Sequence, residues 1–500
     1  MPSLNVMALN DNNLKSLPNN VIVPEYDRKL VKTGIVHVGV GGFHRSHQAF
    51  YTDEYMGHTG DLRWGICGVG LREADRKMKD ILENQDYLYT LMVKHSDGRI
   101  ENRVIGSLTN FLLGCDNPQV VIDKMAADET KIVSLTITEA GYNYNPATGE
   151  FNFDNPDVKH DLAHPEAPRL VFGYLVAALK QRKEAGKVPF TIQSCDNIQH
   201  NGDVTRKILV AYARELDADL ALWIEREVSF PNAMVDRITP VTTPSDIEYL
   251  RSEIGLEDKW PVTCEKFLQW VIEDRFSQGR PDWDKVGAQF VPDVTPYETM
   301  KIRLLNAGHT VLGMLGSLHG YKTIDECVRD PVFAEFLTKF MDEEVTPVLP
   351  PLEGIDLSAY KSTLLERFGN PNIKDALSRI CLDSSSKVAT FLVPTVVENL
   401  KRKGEFRLSA LTIAAWCYYS AMHADQAGNA LEVNDAMADE LHELARQPSE
   451  GIPAFLTVSS IFGDLPKHEG FVADYNSFVD GLFANVEVKS LMQSVLQVVQ

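Results

Sequence analysis

The first part of the chain alternates short apolar runs with amphipathic stretches. The run GIVHVGVGG at 34–42 is rich in valine and bounded by glycines, which is typical of a parallel strand buried on both faces. Similar runs lie at 63–70, 131–138 and 190–197. Helical patterns separate these runs, at 46–56, 72–85, 117–128, 168–185 and 203–227. The alternation predicts an α/β fold with a Rossmann-like, doubly wound sheet.

Two departures from this alternation indicate how the chain is organised. Residues 141–168 are rich in turn-forming and polar types, and we expect a long surface excursion there, a flap near a ligand site. Beyond Pro296 the strand patterns fade and apolar residues recur at helical spacing. We therefore predict two domains. Residues 1–293 carry the sheet, an N-terminal extension and insertions, and residues 294–500 form a mostly α-helical C-terminal domain.

Composition and charge narrow the classes of function. With 44% hydrophobic and 24% charged residues, the chain of 500 residues is typical of a folded globular protein. Its net charge of −21 would repel phosphate backbones and anionic membranes, so neither nucleic acid nor a membrane is an expected partner. The seven cysteines include no C-x-x-C pair, which favours reduced thiols in a cytoplasmic protein. No apolar stretch approaches the ~18 residues of a membrane span.

The stretch VHVGVGGFHRSHQAFY at 36–51 is similar to a dinucleotide-binding turn that lacks its third glycine. Gly39 and Gly41 close the first strand, but His44 stands where G-x-G-x-x-G has its last glycine. Backbone amides near Gly41 and Gly42 would approach a pyrophosphate. The alternative is a tight turn without a ligand; the position between a strand and a helix favours the dinucleotide site. The predicted cofactor-binding residues here are Val38, Gly39, Val40, Gly41, Gly42, Phe43, His44 and Arg45, with Arg45 as a charged contact.

An acidic residue after the second strand would bind the adenosine ribose of the cofactor. The candidates are Glu73 and Asp75, just past the strand that ends at Gly70. Either carboxylate would bond the ribose 2′-OH and repel a 2′-phosphate, which favours NAD over NADP. The neighbouring Arg72 and Arg76 weaken this inference, and the alternative is that both acids are solvated charges at a helix start.

Lys301, Asn306 and His309 lie on one predicted helix, within VTPYETMKIRLLNAGHTVLG at 294–313. At about 100° per residue, the three fall within an arc of about 140°, so one helix face presents an amine, an amide and an imidazole. In a hydride-transfer enzyme, a lysine with a depressed pKa takes the proton of an alcohol while amides bond the developing alkoxide. Glu298 would relay that proton to water. The alternative is a polar helix face that meets solvent.

Two other dehydrogenase chemistries receive no support. Tyr297 and Lys301 match the Y-x-x-x-K pair of short-chain dehydrogenases, but about one such match is expected by chance, and this one follows the nucleotide domain. The 13 histidines and seven cysteines form no compact zinc spacing, so no metal site is predicted.

Five motifs stand in order along the chain: GIVHVGVGGFHRSHQAFY, TITEAGYNY, FTIQSCDNIQHNGD, FPNAMVDRITP and KIRLLNAGHT. This series resembles the polyol-specific long-chain dehydrogenase family, most strongly the members that act on mannitol, and extends from about residue 20 to near the C-terminus. In that family the glycine turn is G-x-G-x-F-x-R, which matches Gly39, Gly41, Phe43 and Arg45. The resemblance therefore accounts for the missing third glycine.

The resemblance implies a zinc-independent, NAD-dependent oxidation of a polyol to a ketose, with D-mannitol and D-fructose as the expected pair. It implies that Lys301 is the general base and that Asn306 and Asn197 bond the reacting oxygen. Asn197 follows a predicted strand at its carboxyl end, where ligands bind in open α/β sheets. Further substrate hydroxyls would be bound by His309, Asp236, Arg379 and Lys387. The expected site is the cleft between the two domains, in a monomer or weak homo-oligomer.

Two alternatives stay open at this point. Within the same class, the substrate is a hexuronate such as fructuronate or tagaturonate, or another polyol such as arabinitol, and Arg379 or Lys387 would bind a substrate carboxylate. Outside it, the protein is a non-catalytic dinucleotide sensor. The sensor is disfavoured by the presence of Lys301, Asn306, His309 and Asn197, because cofactor binding alone requires none of them.

Overall fold

The computed structural model describes residues 6–144, 149–447 and 451–498. The chain divides into two compact units, Met1–Thr295 (unit 1) and Pro296–Gln500 (unit 2).

The main sheet of unit 1 has five strands: β1 (Thr33–Val38), β2 (Gly65–Gly70), β3 (Leu108–Leu113), β4 (Ile132–Leu135) and β5 (Thr191–Ser194). All neighbours are parallel and the order is β3-β2-β1-β4-β5. The apolar runs predicted from the sequence form β1, β2, β4 and β5, because both faces of the sheet are covered. The strand β3 lies outside those runs. After β1 the chain builds one side of the sheet, and it then returns to the other side of β1 as β4. The gap between the carboxyl ends of β1 and β4 is therefore the topological switch point, where ligands bind in such sheets.

Helices cover both faces of this sheet. The helix Gln48–Thr59 contributes to one hydrophobic core, and Pro118–Ala126, Val171–Glu184 and Asn201–Leu216 contribute to the other. The helical pattern predicted at 203–227 is two helices, because Asp217 ends the first and its side chain accepts a hydrogen bond from the Leu220 N–H to start the second. The remaining α-helices described in unit 1 are Gly42–Ser46, Arg76–Glu83, Thr138–Gly141, Pro156–Ala163, Ala218–Glu227 and Pro244–Tyr249.

Unit 1 also contains three smaller sheets, which the alternation of the sequence does not reveal. A mixed sheet joins Val262–Glu265, Tyr89–Lys94, Ile100–Ile105 and Val21–Ile22. A second joins Ala233–Asp236, Gln269–Glu273 and Gln289–Val291, and Met7–Ala8 pairs with Leu256–Glu257. The first two of these sheets share a hydrophobic core with one face of the main sheet.

The predicted excursion at 141–168 is partly structured. An isolated bridge joins Tyr144 to Phe151, and a helix follows at Pro156–Ala163; residues 145–148 lie outside the described residues. The Phe151 ring is buried against Phe172 and Tyr212. This part of the excursion is therefore anchored to the hydrophobic core.

The described part of unit 2 is helical apart from two isolated bridges. Ala307–His319 and Arg407–Met422 pack against each other and are buried almost all round, which places them at its centre. The other α-helices here are Ile324–Arg329, Pro331–Lys339, Leu357–Phe368, Leu377–Ile380, Ser384–Lys387, Val393–Arg402, Ala438–Ala445, Ser459–Phe462, Glu469–Phe483 and Val488–Val498, and Thr295–Lys301 enters the unit. Single π-helical turns occur at Ile302–Asn306, Phe340–Val345 and Val388–Leu392.

Within the described residues, no helix combines the length and the apolar character that crossing a bilayer requires.

Candidate active site

The glycine turn lies at the carboxyl end of β1, beside the switch point. Gly39 has φ +93°, and a Cβ there would collide with the carbonyl oxygen of Thr136, so only glycine fits. A Cβ on Gly41 would meet only the Gly39 carbonyl oxygen, at 3.9 Å, so the backbone of Gly41 is open to a ligand. The helix Gly42–Ser46 begins directly afterwards. A pyrophosphate that needs close approach to backbone amides fits this turn.

His44, in place of the third glycine, packs inward. Its ring stacks on His37 of β1, with the centroids 3.4 Å apart and the planes 10° from parallel. His37 Nδ1 lies 2.7 Å from Ser134 Oγ, and its Nε2 lies 2.9 Å from Thr136 Oγ1. Burial lowers the pKa of His37 to about 3 and also lowers the pKa of His44, so both rings are neutral at physiological pH. The stacked rings of His37 and His44 thus fill the space between strand and helix, where a glycine at position 44 would let the two backbones approach each other.

Arg45 also faces the interior. Its guanidinium donates to the carbonyl oxygen of Trp260 at 2.6 Å and lies over the Tyr89 ring, 5.1 Å from the centroid. The Tyr89 hydroxyl in turn donates to the Arg45 carbonyl oxygen at 2.5 Å. Burial lowers the pKa of Arg45. The structure therefore gives Arg45 a part in fixing the turn, where the sequence suggests a charged contact with the cofactor.

The other residues of the turn pack around it. Val38 is buried, and Val40 covers Gly68 of β2, where a Cβ would lie 2.7 Å from Val40 Cγ2. Phe43 stacks on His47 with the ring centroids 4.9 Å apart. The helix expected from Ser46 begins earlier, at Gly42, and breaks at His47 before it continues as Gln48–Thr59.

The two acidic candidates after β2 differ in their surroundings. The Asp75 carboxylate accepts a hydrogen bond from the Arg72 N–H at 2.9 Å and so shapes the turn. Glu73 is exposed and accepts from Arg76 at 2.5 and 2.8 Å. Arg76 also binds Asp116, which follows β3. Hydrogen bonding to Arg76 lowers the pKa of Glu73, so an anionic carboxylate is held at the edge where the ribose is expected.

Asn197 and Asp236 each lie at a strand end in unit 1. Asn197 is exposed, three residues after β5. Asp236 is the last residue of the strand Ala233–Asp236 and is buried. Asn197 therefore stands at the edge of the main sheet that carries the glycine turn, which is the edge where the sequence places it.

Lys301 and Asn306 bracket a π-helical turn. Lys301 is buried and directly precedes the turn Ile302–Asn306, in which the Ala307 N–H reaches back five residues to the Ile302 carbonyl oxygen. The arc of 140° assumed a regular α-helix and is wrong for this segment. Hydrogen bonds from i to i+5 bring residues five apart closer to alignment, so Lys301 and Asn306 lie closer to one line along the helix.

One atom of the Asn306 side-chain amide is buried without a hydrogen-bond partner among the described residues. This atom is the oxygen, Oδ1. One turn later, the His309 ring stacks on Phe368, with the centroids 4.3 Å apart, which fixes its orientation. A buried polar atom without a partner is costly unless a ligand or water satisfies it. Asn306 is therefore suited to binding a ligand.

Two residues close to Lys301 in the sequence, Glu298 and Tyr297, differ in their surroundings. Glu298, one helical turn before it, is buried. Tyr297 donates its hydroxyl proton to the Glu353 carbonyl oxygen at 2.9 Å. This hydrogen bond occupies the hydroxyl of the tyrosine that matches Y-x-x-x-K.

Arg379 and Lys387 lie on the short helices Leu377–Ile380 and Ser384–Lys387. Arg379 forms a bidentate pair with Asp375, with Nε to Oδ1 at 2.7 Å. Lys387 donates to the Ile380 carbonyl oxygen at 2.8 Å, and burial lowers its pKa. Lys387 also directly precedes a π-helical turn, Val388–Leu392, which packs against the turn at Ile302–Asn306. The two lysines therefore occupy equivalent positions before two contacting π-turns.

One group of three metal-ligand types lies close together in the described residues. It consists of Glu73, Cys115 and Asp116, all exposed. Both carboxylates bind the Arg76 guanidinium. All seven cysteines are free thiols.

Comparison with known proteins identifies the family of the chain. Residues 33–285 match the model described as "Mannitol dehydrogenase Rossmann domain", and residues 293–482 match "Mannitol dehydrogenase C-terminal domain". The chain belongs to the mannitol dehydrogenase family. The resemblance predicted from the five motifs and the predicted fold class are thereby confirmed.

Members of the family are similar along almost the whole chain. A mannitol 2-dehydrogenase of Aspergillus fumigatus is 44% identical over 496 residues, 97% of this chain and 98% of that protein. One of Phaeosphaeria nodorum is 45% identical over 95% of this chain and 84% of that protein.

Two solved structures share the fold closely. The Pseudomonas fluorescens mannitol 2-dehydrogenase, in a ternary complex with NAD and D-mannitol, has a TM-score of 0.86 and 46% identity, covering 98% of this chain and all of that one. A D-sorbitol dehydrogenase in substrate-free form has a TM-score of 0.91 and 37% identity, covering 97% of this chain and all of that one.

Proposed function

We propose that this protein is an NAD-dependent polyol dehydrogenase that oxidises D-mannitol at C2 to D-fructose, reversibly. The observation that carries the proposal is the similarity, over 98% of the chain, to a mannitol 2-dehydrogenase solved with NAD and D-mannitol. The glycine-only turn at the switch point supports the cofactor, and the Lys301–Asn306 π-turn supports the chemistry.

Lys301 is the residue that takes the proton of the substrate hydroxyl. NAD, when bound, supplies the hydride acceptor. Lys301 acts as general base because a buried amine, once neutral, can accept a proton where water is excluded. Asn306 and Asn197 donate amide N–H groups to the reacting oxygen and stabilise the charge that develops there. No step is assigned to a metal ion.

The remaining residues hold the substrate or move the proton onward. Glu298 relays the proton from Lys301 towards water. His309, oriented by Phe368, binds a substrate hydroxyl, and Asp236 binds another. Lys387 and Arg379 bind distal hydroxyls, for which Arg379 turns away from Asp375; its side chain is 62% exposed, so that movement is open to it.

The preference for NAD over NADP follows from the charged residues beyond the carboxyl end of β2. Glu73 and Asp116 flank Arg76 there, and their charges oppose the 2′-phosphate of NADP. We place the enzyme in the cytoplasm, as a monomer or weak homo-oligomer with no nucleic-acid partner, on the strength of its acidic charge and its free cysteines.

The test follows NADH absorbance with D-mannitol, D-sorbitol, arabinitol and the hexuronates. Wild type is compared with Lys301→Ala and with a matched control, Lys489→Ala, in which a lysine of the same unit loses an ion pair with Asp330. We expect the highest kcat/KM with D-mannitol, loss of turnover in Lys301→Ala alone, and an oxidation rate that rises with pH in wild type as Lys301 loses its proton.

The other outcomes identify the alternatives. The highest kcat/KM with D-sorbitol would assign the substrate class of the second solved structure. A preference for a hexuronate would give Arg379 or Lys387 a carboxylate partner. NAD binding without turnover on any substrate would indicate a dinucleotide sensor, and unchanged turnover in Lys301→Ala would remove the assigned base.

A further inference from the structure

The carboxylate of Asp196 links the ends of two neighbouring strands. It accepts hydrogen bonds from the Ile137 N–H at 3.0 Å and the Thr138 N–H at 2.9 Å, both in the turn that follows β4. It also accepts from the Tyr142 hydroxyl at 2.7 Å, and that hydroxyl lies 2.5 Å from Ser194 Oγ at the end of β5. Asp196 itself is only 7% exposed. A single buried group therefore fixes the carboxyl ends of β4 and β5 relative to each other.

The turn that Asp196 holds is strained. Thr138 has φ +63°, in the left-handed region that β-branched residues rarely adopt. Such conformations persist where the surroundings over-determine them, and they cluster at functional sites. Here the successive N–H groups of Ile137 and Thr138 both donate to the Asp196 carboxylate, which holds the turn in this conformation. Thr138 is exposed, and two residues earlier Thr136 Oγ1 donates to the Gly39 carbonyl oxygen at 2.7 Å, so the strained turn adjoins the glycine turn.

Asp196 directly precedes Asn197, and its backbone is fixed as well. Asn201 Nδ2 donates to the Asp196 carbonyl oxygen at 3.1 Å and to the Ala233 carbonyl oxygen at 2.9 Å. With its side chain and its carbonyl both bound, Asp196 determines the direction in which Asn197 leaves the sheet. TITEAGYNY and SCDN, two motifs of the sequence, are thus joined through one carboxylate.

We propose that Asp196 is a positioning residue of the reaction. It holds the Asn197 amide and the strained Thr138 turn in one geometry at the switch point, so that the reacting oxygen and the hydride acceptor are aligned. It acts through these neighbours and does not touch the reacting atoms. The inference rests on the proposed function, because Asn197 has its role only in that reaction.

The test compares Asp196→Asn with a matched control, Asp161→Asn. In Asp196→Asn, an amide NH₂ replaces one carboxylate oxygen and faces a backbone N–H. Asp161 is likewise buried and accepts from two backbone N–H groups, of Arg169 and Leu170 at 2.9 and 2.8 Å, at the start of Val171–Glu184. Both variants lose a comparable buried network, but only one lies at the switch point. Melting temperature, kcat, KM and the isotope effect with C2-deuterated polyol are measured for each.

We expect Asp196→Asn to lower kcat by about 100-fold, the scale of a small misplacement of reacting groups. The polyol KM should change little, and the deuterium isotope effect should rise because hydride transfer becomes rate-limiting. Asp161→Asn should shift the melting temperature by a similar amount and leave kcat within about twofold. In an Asn197→Ala background, Asp196→Asn should cost less than about threefold, since the group it positions is absent.

Every other result either supports the positioning role of Asp196 or contradicts it. Equal loss of kcat in Asp196→Asn and Asp161→Asn, or multiplicative losses for Asp196→Asn and Asn197→Ala, overturns the positioning role while the proposed function stands. If Asp196→Asn does not fold, Tyr142→Phe removes one donor and keeps the carboxylate; a raised isotope effect supports the role and an unchanged one overturns it. No turnover by wild type overturns the proposed function and this inference with it.

Discussion

The imidazole rings of His37 and His44 stack face to face, 3.4 Å between centroids, beneath the glycine turn. His37 is hydrogen-bonded through both nitrogens, whereas neither nitrogen of His44 has a hydrogen-bond partner among the described residues. His44 thus contributes a flat surface, and its polar atoms contribute no bond that the structure describes. The third glycine of the usual pattern is replaced by an aromatic contact, which keeps strand and helix at a fixed separation.

His44→Phe should preserve this contact. A phenyl ring can stack on His37 and removes two buried polar atoms without partners, so we expect stability to be unchanged or to rise by about 1 kcal/mol, with NAD affinity within about twofold. His44→Gly, which matches the common pattern, should instead lower stability by leaving a cavity. Thermal denaturation and NAD titration of both variants check this. Weakened NAD binding in a stable His44→Phe would show that an imidazole nitrogen serves the cofactor.

His37 should make stability depend on pH. Its pKa is about 3 in the fold against an ordinary value of 6.5, so between these values the unfolded chain binds a proton that the native chain does not. The free energy of unfolding should therefore fall as pH falls from about 6.5 to 3. His37→Asn should be less stable but show a shallower slope in that range, by urea denaturation at several pH values. His58→Asn, at an exposed histidine, is the control, and an equal slope in wild type and His37→Asn would contradict the prediction.

Asn306→Ala should separate catalysis from stability. Removal of one donor to a developing oxyanion costs about 10²–10³ in kcat. The Asn306 Oδ1 atom has no hydrogen-bond partner among the described residues, so we expect the melting temperature to change little. Asn399→Ala is the control, because the buried Asn399 amide donates to the Glu344 carbonyl oxygen at 2.7 Å and its loss should lower stability with kcat retained. A large loss of stability in Asn306→Ala would point to a structural role.

Glu73→Gln should weaken the discrimination against NADP. The change removes one charge that opposes a 2′-phosphate and loosens Arg76, which becomes available to bind it. The ratio of kcat/KM for NAD to that for NADP should fall by about tenfold or more. Glu83→Gln breaks another ion pair, with Lys79, on the helix that begins at Arg76, and should leave the ratio unchanged. An unaltered ratio in Glu73→Gln would move the determinant to another residue.

Local pattern was enough to predict much of the scaffold. The apolar runs predicted four of the five parallel strands, and the glycines that close β1 predicted the turn, because burial on both faces and a positive φ restrict residue type directly. The fifth strand, Leu108–Leu113, lies outside the predicted runs. The small sheets were not predicted, since several of their strands pair with segments that are distant in the sequence. Tyr89–Lys94, for example, pairs with Val262–Glu265.

The site was predictable only in part, for a related reason. Lys301, Asn306 and Asn197 stand in motifs, so the sequence names them. Asp196 stands in the same SCDN motif, but its importance depends on N–H groups 58 and 59 residues away, which no spacing reveals. The inward orientation of Arg45 depends likewise on Trp260 and Tyr89.

The π-turn after Lys301 makes the winding of this segment as important as the identity of its residues. Such a turn holds one residue more than an α-helical turn, so the five steps from Lys301 to Asn306 bring the two residues back towards the same side of the helix. In a regular α-helix the same five steps would leave Asn306 about 140° away from Lys301. Deletion of one residue between them would leave four α-helical steps, about 400°, and would keep the two side chains on one side. Designs can therefore shorten this helix to its regular form, whereas a change that rewinds it as an α-helix at its full length would separate Lys301 from Asn306.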